Sequence, residues 1–197
     1  MEGAVGPTRS SWLGGAAAAI GGLCYVVKGG VILATGHQPP VLFEIAPIFL
    51  AVGLRALYLR LRDAGRGEGI AGPLTASVLG AATIATVGGL ATREDTVTVG
   101  VALALCSLGL VVGLVVLGRT ARHLPELPRV RRVVPFALGL ATIPLIMVGG
   151  ALESLGERLL EIPLILIGVG WTAVGWLVVA PSRHPDGTSR VRASPTV

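Results

Sequence analysis

The chain has 197 residues, a net charge of +5, 52% hydrophobic residues and only 14% charged residues. Soluble domains carry about 25% charged residues, so this chain has too little charge to cover a water-facing surface. Its basic residues lie mostly between apolar blocks and are not interleaved with aromatic residues, which argues against nucleic-acid binding.

Apolar blocks follow one another along almost the whole chain. About 20 apolar residues suffice to cross the roughly 30 Å hydrocarbon core of a bilayer. The predicted spans are residues 12–34, 41–61, 72–91, 97–118, 133–152 and 160–180. The sequence therefore predicts an all-α polytopic membrane protein, with six transmembrane helices in one domain over residues 1–181. Residues 182–197 are polar and are predicted to form a disordered cytoplasmic tail.

Arginines alternate with the predicted spans. They gather in the N-terminal segment, in the loops after spans two and four, and in the C-terminal tail: Arg9, Arg60, Arg62, Arg66, Arg119, Arg122, Arg129, Arg131, Arg132, Arg183, Arg190 and Arg192. Because cytoplasmic loops carry the excess of Lys and Arg, both termini are predicted to be cytoplasmic. The strong preference for Arg over Lys is typical of a GC-rich bacterial genome, so we expect a multi-pass protein of a bacterial plasma membrane.

A weak repeat of about 60 residues runs through the spans. The pairs Gly29-Gly30, Gly88-Gly89 and Gly149-Gly150 fall late in spans one, three and five, and Glu44 aligns with Glu161. A true repeat would give three related helical hairpins, all inserted in the same direction. The alternative is a chance match, because an alphabet dominated by Leu, Val, Ala and Gly matches itself often.

Lys28 is the only lysine, and it lies inside span one. At 1.5 Å per residue it sits roughly 6–10 Å below the predicted outer boundary. An ionisable group at this depth costs several kcal/mol unless it is paired or hydrated. Either its long stem snorkels to the outer surface, or it faces the bundle and meets an acid, for which Glu44 is the first choice.

Several charged residues are predicted to share the outer end of the bundle: Lys28, Glu44, Glu153, Glu157, Arg158 and Glu161. If the helix continues between them, Glu157 and Glu161 share one face. Such a group would form an outer vestibule that binds a cation or relays protons; the alternative is solvation by lipid headgroups. On the opposite side, Arg55 is expected to snorkel to the cytoplasmic surface.

Known catalytic motifs are missing from the sequence, as is any metal-ligand spacing. We therefore expect no catalytic residue, cofactor or metal, and rank an integral membrane enzyme last.

The favoured hypothesis is a small transporter- or channel-like bundle with an outer-facing polar site of Lys28, Glu44 and Glu161. The alternative is a non-catalytic membrane component that binds a lipid or partner protein through Gly-rich helix faces. Expected partners are the lipid bilayer and a second copy or another membrane protein, and no nucleic acid.

Overall fold

A computed structural model describes residues 9–39, 41–63, 65, 69–92, 96–123 and 129–179. Within these ranges the chain is helical, with no strand. Its elements are α1 (Arg9–Thr35), α2 (Leu42–Asp63), α3 (Ala71–Thr92), α4 (Val97–Arg122), α5 (Arg129–Glu153), a short 3-10 helix (Glu157–Leu160) and α6 (Glu161–Val179). The predicted all-α class is confirmed, whereas the predicted tail, 182–197, lies outside the described residues.

Five of the helical segments are long and apolar enough to cross a membrane. They are Trp12–Thr35, Ala71–Ala91, Val97–Arg122, Arg132–Glu153 and Glu157–Trp176. Helix α2 is as long as α3 but is not among the five. It carries Glu44 at its start and three arginines in its second half. The helix itself was predicted correctly, but its membrane crossing is not shown by composition.

Local signals set several helix ends. Gly36, with φ +74°, donates its N–H to the Ile32 carbonyl at 2.8 Å and ends α1, as glycine does at helix C-termini. Thr96 caps α4 by accepting a hydrogen bond from the Val99 N–H at 3.3 Å. Helices α2 and α5 continue past Pro47 and Pro144, which membrane helices tolerate.

The helices pack as a closed ring in chain order. Each helix contacts the next, and α6 returns to α1 in the most extensive contact of the structure. Helix α2 also reaches α4 across the ring, and the core lies where they meet, around Leu50, Leu54, Leu114 and Leu117. Helices that are consecutive in the sequence therefore pack on each other. That they form three related hairpins stays a prediction.

Large apolar side chains cover the outside of the bundle. Ile84 on α3, Leu105 and Leu108 on α4, and Ile143 and Met147 on α5 are all exposed. Soluble monomers rarely expose contiguous apolar surface of this extent. The arrangement is instead typical of a bundle whose outer surface contacts lipid tails, as expected for a membrane protein.

Glycines allow α1 and α6 to approach closely. A β-carbon at Gly22 would lie 2.6 Å from the Thr172 nitrogen, and one at Gly168 would lie 2.6 Å from the Gly22 carbonyl oxygen. A β-carbon at Gly15 would lie 2.7 Å from the Gly175 carbonyl oxygen. The two helices run antiparallel with their backbones in contact, which is how small residues drive helix association in lipid.

Candidate functional site

An ion pair joins the first and last helices. The ammonium Nζ of Lys28 on α1 lies 3.6 Å from the carboxylate Oε1 of Glu161 on α6, and both side chains are only 8% exposed. The close packing of α1 on α6 explains the contact. Gly29 follows Lys28 and packs against the first turn of α6, where Glu161 begins the helix. Lys28 is therefore buried in the bundle next to an acid, the second of its two predicted orientations.

Burial makes this pair energetically important. Two charges removed from water must compensate each other, and losing one partner leaves the other buried and uncompensated. Glu161 is also placed in the first turn of α6, where the positive end of the helix dipole favours a carboxylate. Its second oxygen, Oε2, is buried and makes no hydrogen bond with any described residue. The pair thus holds one buried carboxylate oxygen whose hydrogen-bonding capacity no described residue satisfies.

Glu44 lies at a different helix contact from the one predicted for it. It is in the first turn of α2, and its Cγ would be 3.3 Å from a β-carbon at Gly89 on α3. Its Oε2 is buried and, like that of Glu161, has no hydrogen-bond partner in the described part of the chain. The predicted partner of Lys28 was thus the wrong glutamate: the acid at ion-pair distance is Glu161, and Glu44 packs towards α3.

The two glutamates nevertheless resemble each other. Each starts a helix, packs against a glycine near the end of a neighbouring helix, and has a buried Oε2 atom without a partner in the described residues. They are also the two positions aligned by the predicted repeat. A carboxylate oxygen without a partner is costly to bury, so these two atoms are the candidates for contact with a further polar group.

Thr86 on α3 is the third buried polar side chain whose oxygen lacks a hydrogen-bond partner among the described residues. Other helix threonines return their hydroxyl to the carbonyl four residues earlier, as Thr142 does to Leu138 at 2.8 Å. Thr86 is 6% exposed. A single threonine within an apolar span carries no signal by itself, so the sequence does not single out Thr86.

The remaining acids of the predicted outer group are not brought to the pair. Glu153 ends α5 and Glu157 starts the 3-10 helix, and both are exposed. The chain turns between Glu153 and Glu157 and changes helix type before Glu161, so Glu157 and Glu161 do not share one α-helical face. The guanidinium of Arg158 lies against Gly36, where a β-carbon would be 2.7 Å from its Cζ, and so links the 3-10 helix to the end of α1.

Arg55 is tied to α3. Its Nη1 donates to the Gly72 carbonyl at 3.1 Å and to the Thr75 hydroxyl at 2.9 Å. The guanidinium also lies 4.9 Å from the ring centre of Tyr58, within the range of a cation–π contact. Its predicted snorkelling is thus replaced by a specific contact, which fixes α2 against α3 at the end of the bundle opposite Glu44.

The site contains oxygen ligands and one amine, with no described group of three His, Cys, Asp or Glu residues that could hold a metal ion. Carboxylates and hydroxyls suit hard cations, water and protons. Cys24 and Cys106 are both buried as free thiols. The carboxylates at the Lys28–Glu161 end of the described bundle can therefore bind a proton or a hard cation.

Comparisons of the chain with models of known protein families, with curated proteins and with solved structures found no match.

Proposed function

We propose that this protein is a small six-span transporter- or channel-like protein of a bacterial plasma membrane, with its termini in the cytoplasm. Its outer-facing polar site contains Lys28 and Glu161, with Glu44 at the same end of the bundle. The observation that carries the proposal is the buried Lys28–Glu161 ion pair, with one carboxylate oxygen that no described residue satisfies. Ionisable residues inside membrane bundles usually mark ion or proton pathways.

Packing supports α2 as the sixth span. It runs antiparallel along α3, with Tyr58 level with Gly72 near one end and Glu44 level with Gly89 near the other. A helix that accompanies a membrane-crossing neighbour over this length crosses with it. Arg55, in the second half of α2, is half-buried and bonded to the first turn of α3, so its charge is not presented to lipid.

Charge distribution supports the orientation. In the antiparallel ring, the arginine-bearing ends of α2, α4 and α5 lie together, with Arg60, Arg62, Arg119, Arg122 and Arg129 at that end. Lys28 and the described glutamates lie towards the other end. Under the positive-inside rule, the arginine end faces the cytoplasm and the glutamate end faces out.

The proposed activity is the passage of a proton or small monovalent cation past Glu161. A cation that reaches the buried Oε2 competes with the ammonium of Lys28 for the same carboxylate. This competition would let the pair loosen without leaving a bare charge in the membrane, because one positive charge replaces another.

Ion flux in proteoliposomes tests the proposal. Purified protein is reconstituted into vesicles that contain a pH-sensitive dye, a membrane potential is imposed, and proton entry is followed; radioactive sodium uptake is measured in parallel. We expect protein-dependent flux of one of the two ions, reduced to near the protein-free rate by Lys28→Met and by Glu161→Gln. Glu153→Gln is the matched control, since Glu153 is exposed and should leave the flux unchanged.

One observation favours a non-catalytic component that binds a lipid or a partner instead. Gly30, Gly80, Gly100 and Gly150 are exposed on four different helices, and a β-carbon there would meet no described atom within 4 Å. Open glycines let another helix or an acyl chain approach closely. Absence of both fluxes, together with a dimer in detergent that Gly80→Ile dissociates, would support this alternative and exclude the transporter.

A further inference from the structure

We propose that Glu44 and Thr86 form a separate binding site for a monovalent metal cation, sodium in the first instance, between α2 and α3. The site rests on two oxygens that are buried and have no hydrogen-bond partner among the described residues, Oε2 of Glu44 and Oγ1 of Thr86. It lies at the α2–α3 contact, whereas Lys28 and Glu161 lie at the α1–α6 contact.

The face of α3 that packs on α2 can be followed from end to end. Gly72 lies under the Tyr58 hydroxyl, Thr75 accepts from Arg55, and Gly89 lies against Glu44. Steps of three and four residues connect these positions and include the fully buried Ala82, and then Thr86, as expected for a helix seam. By this spacing Thr86 belongs to the face of α3 that packs on α2, one turn from Gly89, and the proposed site takes its hydroxyl together with the Glu44 carboxylate.

Near Glu44, the backbone of α2 has a carbonyl that lacks its helical hydrogen bond. Pro47 lies one turn into the helix from Glu44. Because proline has no N–H, the carbonyl at position 43 receives no helical hydrogen bond from position 47. Interrupted membrane helices expose carbonyl dipoles in this way at cation sites. A carboxylate, a hydroxyl and a backbone carbonyl are the hard oxygen ligands that alkali and alkaline-earth cations prefer.

Charge balance selects a monovalent ion. Lys28 compensates Glu161, whereas Glu44 forms no ion pair with any described residue. One positive charge would neutralise the Glu44 carboxylate, while a divalent ion would leave an excess charge at this contact in a low-dielectric bundle. Sodium would thus do at Glu44 what the ammonium of Lys28 does at Glu161.

The residues beside the two glycines support this comparison. Gly29 packs on the start of α6 and is preceded by Lys28, whose side chain reaches Glu161. Gly89 packs on Glu44 at the start of α2 and is preceded by Gly88, which has no side chain. A β-carbon at Gly88 would lie 2.6 Å from Cγ2 of Val99 on α4, so this position directs no side chain towards Glu44. One contact thus contains its own cation, whereas the matching position supplies none to the other.

The test is sodium-dependent thermal stability of the full-length protein in detergent. Both cysteines are buried, so a fluorogenic maleimide reports unfolding. Sodium chloride is titrated against choline chloride at constant ionic strength. A ligand that binds the folded state only should raise the melting temperature by about 5 °C at a hundredfold excess over its Kd.

Four variants separate the outcomes. Glu44→Gln and Thr86→Val should abolish the sodium shift, whereas Thr86→Ser, which keeps the hydroxyl, should retain it. Thr83→Val, at an exposed threonine of the same helix, should also retain it. No shift in the wild-type protein, or a full shift in Thr86→Val, overturns the site. Stabilisation by acid alone, without sodium dependence, also overturns it, since it indicates a protonated Glu44.

The sodium site and the proposed transport activity are separate proposals, and each can fail without the other. Glu161→Gln should remove flux and leave the sodium shift intact. A sodium shift without any flux would retain the site and refute the transporter, whereas flux without a sodium shift would do the reverse.

Discussion

Lys28 and Glu161 lie at nearly opposite ends of the chain and form a buried ion pair, with 3.6 Å between Nζ and Oε1. The pair joins the two helices that close the ring, α1 and α6. It therefore links the bundle's closure to the only lysine of the sequence, and its stability contribution can be measured.

Breaking the pair should destabilise the protein strongly. Lys28→Met and Glu161→Gln should each cost about 3 kcal/mol in free energy of unfolding, because each removes one charge of a buried ion pair. The double variant should recover part of this loss. Thermal unfolding in detergent, analysed as a double-mutant cycle, measures the coupling. Lys28→Met combined with Glu44→Gln is the control cycle and should be additive; strong coupling there instead would contradict the structure.

Replacing a glycine at the α1–α6 contact should destabilise the protein, whereas replacing an exposed glycine on α1 should not. Gly29→Ala places its new methyl 2.6 Å from Cγ1 of Ile165, and we expect a loss of about 1–3 kcal/mol from overpacking. Gly30→Ala meets nothing within 4 Å. It should be neutral or stabilising by up to about 1 kcal/mol, because alanine is the better helix former. Equal melting temperatures for the two variants would refute the close contact.

The ion pair of Lys28 and Glu161 shows what the sequence could and could not predict. Block lengths predicted the helices, because the bilayer imposes a length on any span, whereas the orientation predicted from the arginine positions stays a prediction. The partner of Lys28 was predicted wrongly, because a short hairpin suggested Glu44, while ring closure brings in Glu161. A signal for closure was present: Gly15, Gly22 and Gly29 recur every seven residues, as do Gly168 and Gly175.

Thr86 and the Arg55 contact could not have been predicted from local pattern. Whether a buried threonine bonds its own helix depends on which neighbour faces it, and Arg55 could reach the surface or Thr75 equally well by length. The α2–α3 register decides both, since it sets Arg55 against Thr75 and Glu44 against Gly89. That register is a property of the packed bundle and not of either helix alone.

The Arg158–Gly36 contact should make one loop glycine more sensitive than another. Gly36 and Gly65 have nearly the same left-handed φ, +74° and +72°. Alanine at either position costs about 1 kcal/mol in backbone strain. Only at Gly36 does the new methyl also meet a side chain, that of Arg158. Gly36→Ala should therefore lower the melting temperature more than Gly65→Ala, and Arg158→Ala in the same chain should reduce the difference.

Labelling from the two sides of the membrane should establish whether α2 crosses. His37, between α1 and α2, and Asp63, at the end of α2, are both exposed. His37→Cys should react with a membrane-impermeant maleimide in intact cells, and Asp63→Cys should react only after permeabilisation. The buried Cys24 and Cys106 give a low background, and the unaltered protein measures it.

His123→Cys completes the topology experiment. His123 follows α4 and is exposed, so it should behave like Asp63→Cys if α3 and α4 both cross and the arginine-rich end is cytoplasmic. If α2 lay on the surface instead, His37→Cys and Asp63→Cys would react from the same side. Reaction of Asp63→Cys and His123→Cys from outside, with protection of His37→Cys, would keep the six spans and invert the protein. That result would place Lys28 and Glu161 near the cytoplasmic face and require a proton or cation to enter the site from within.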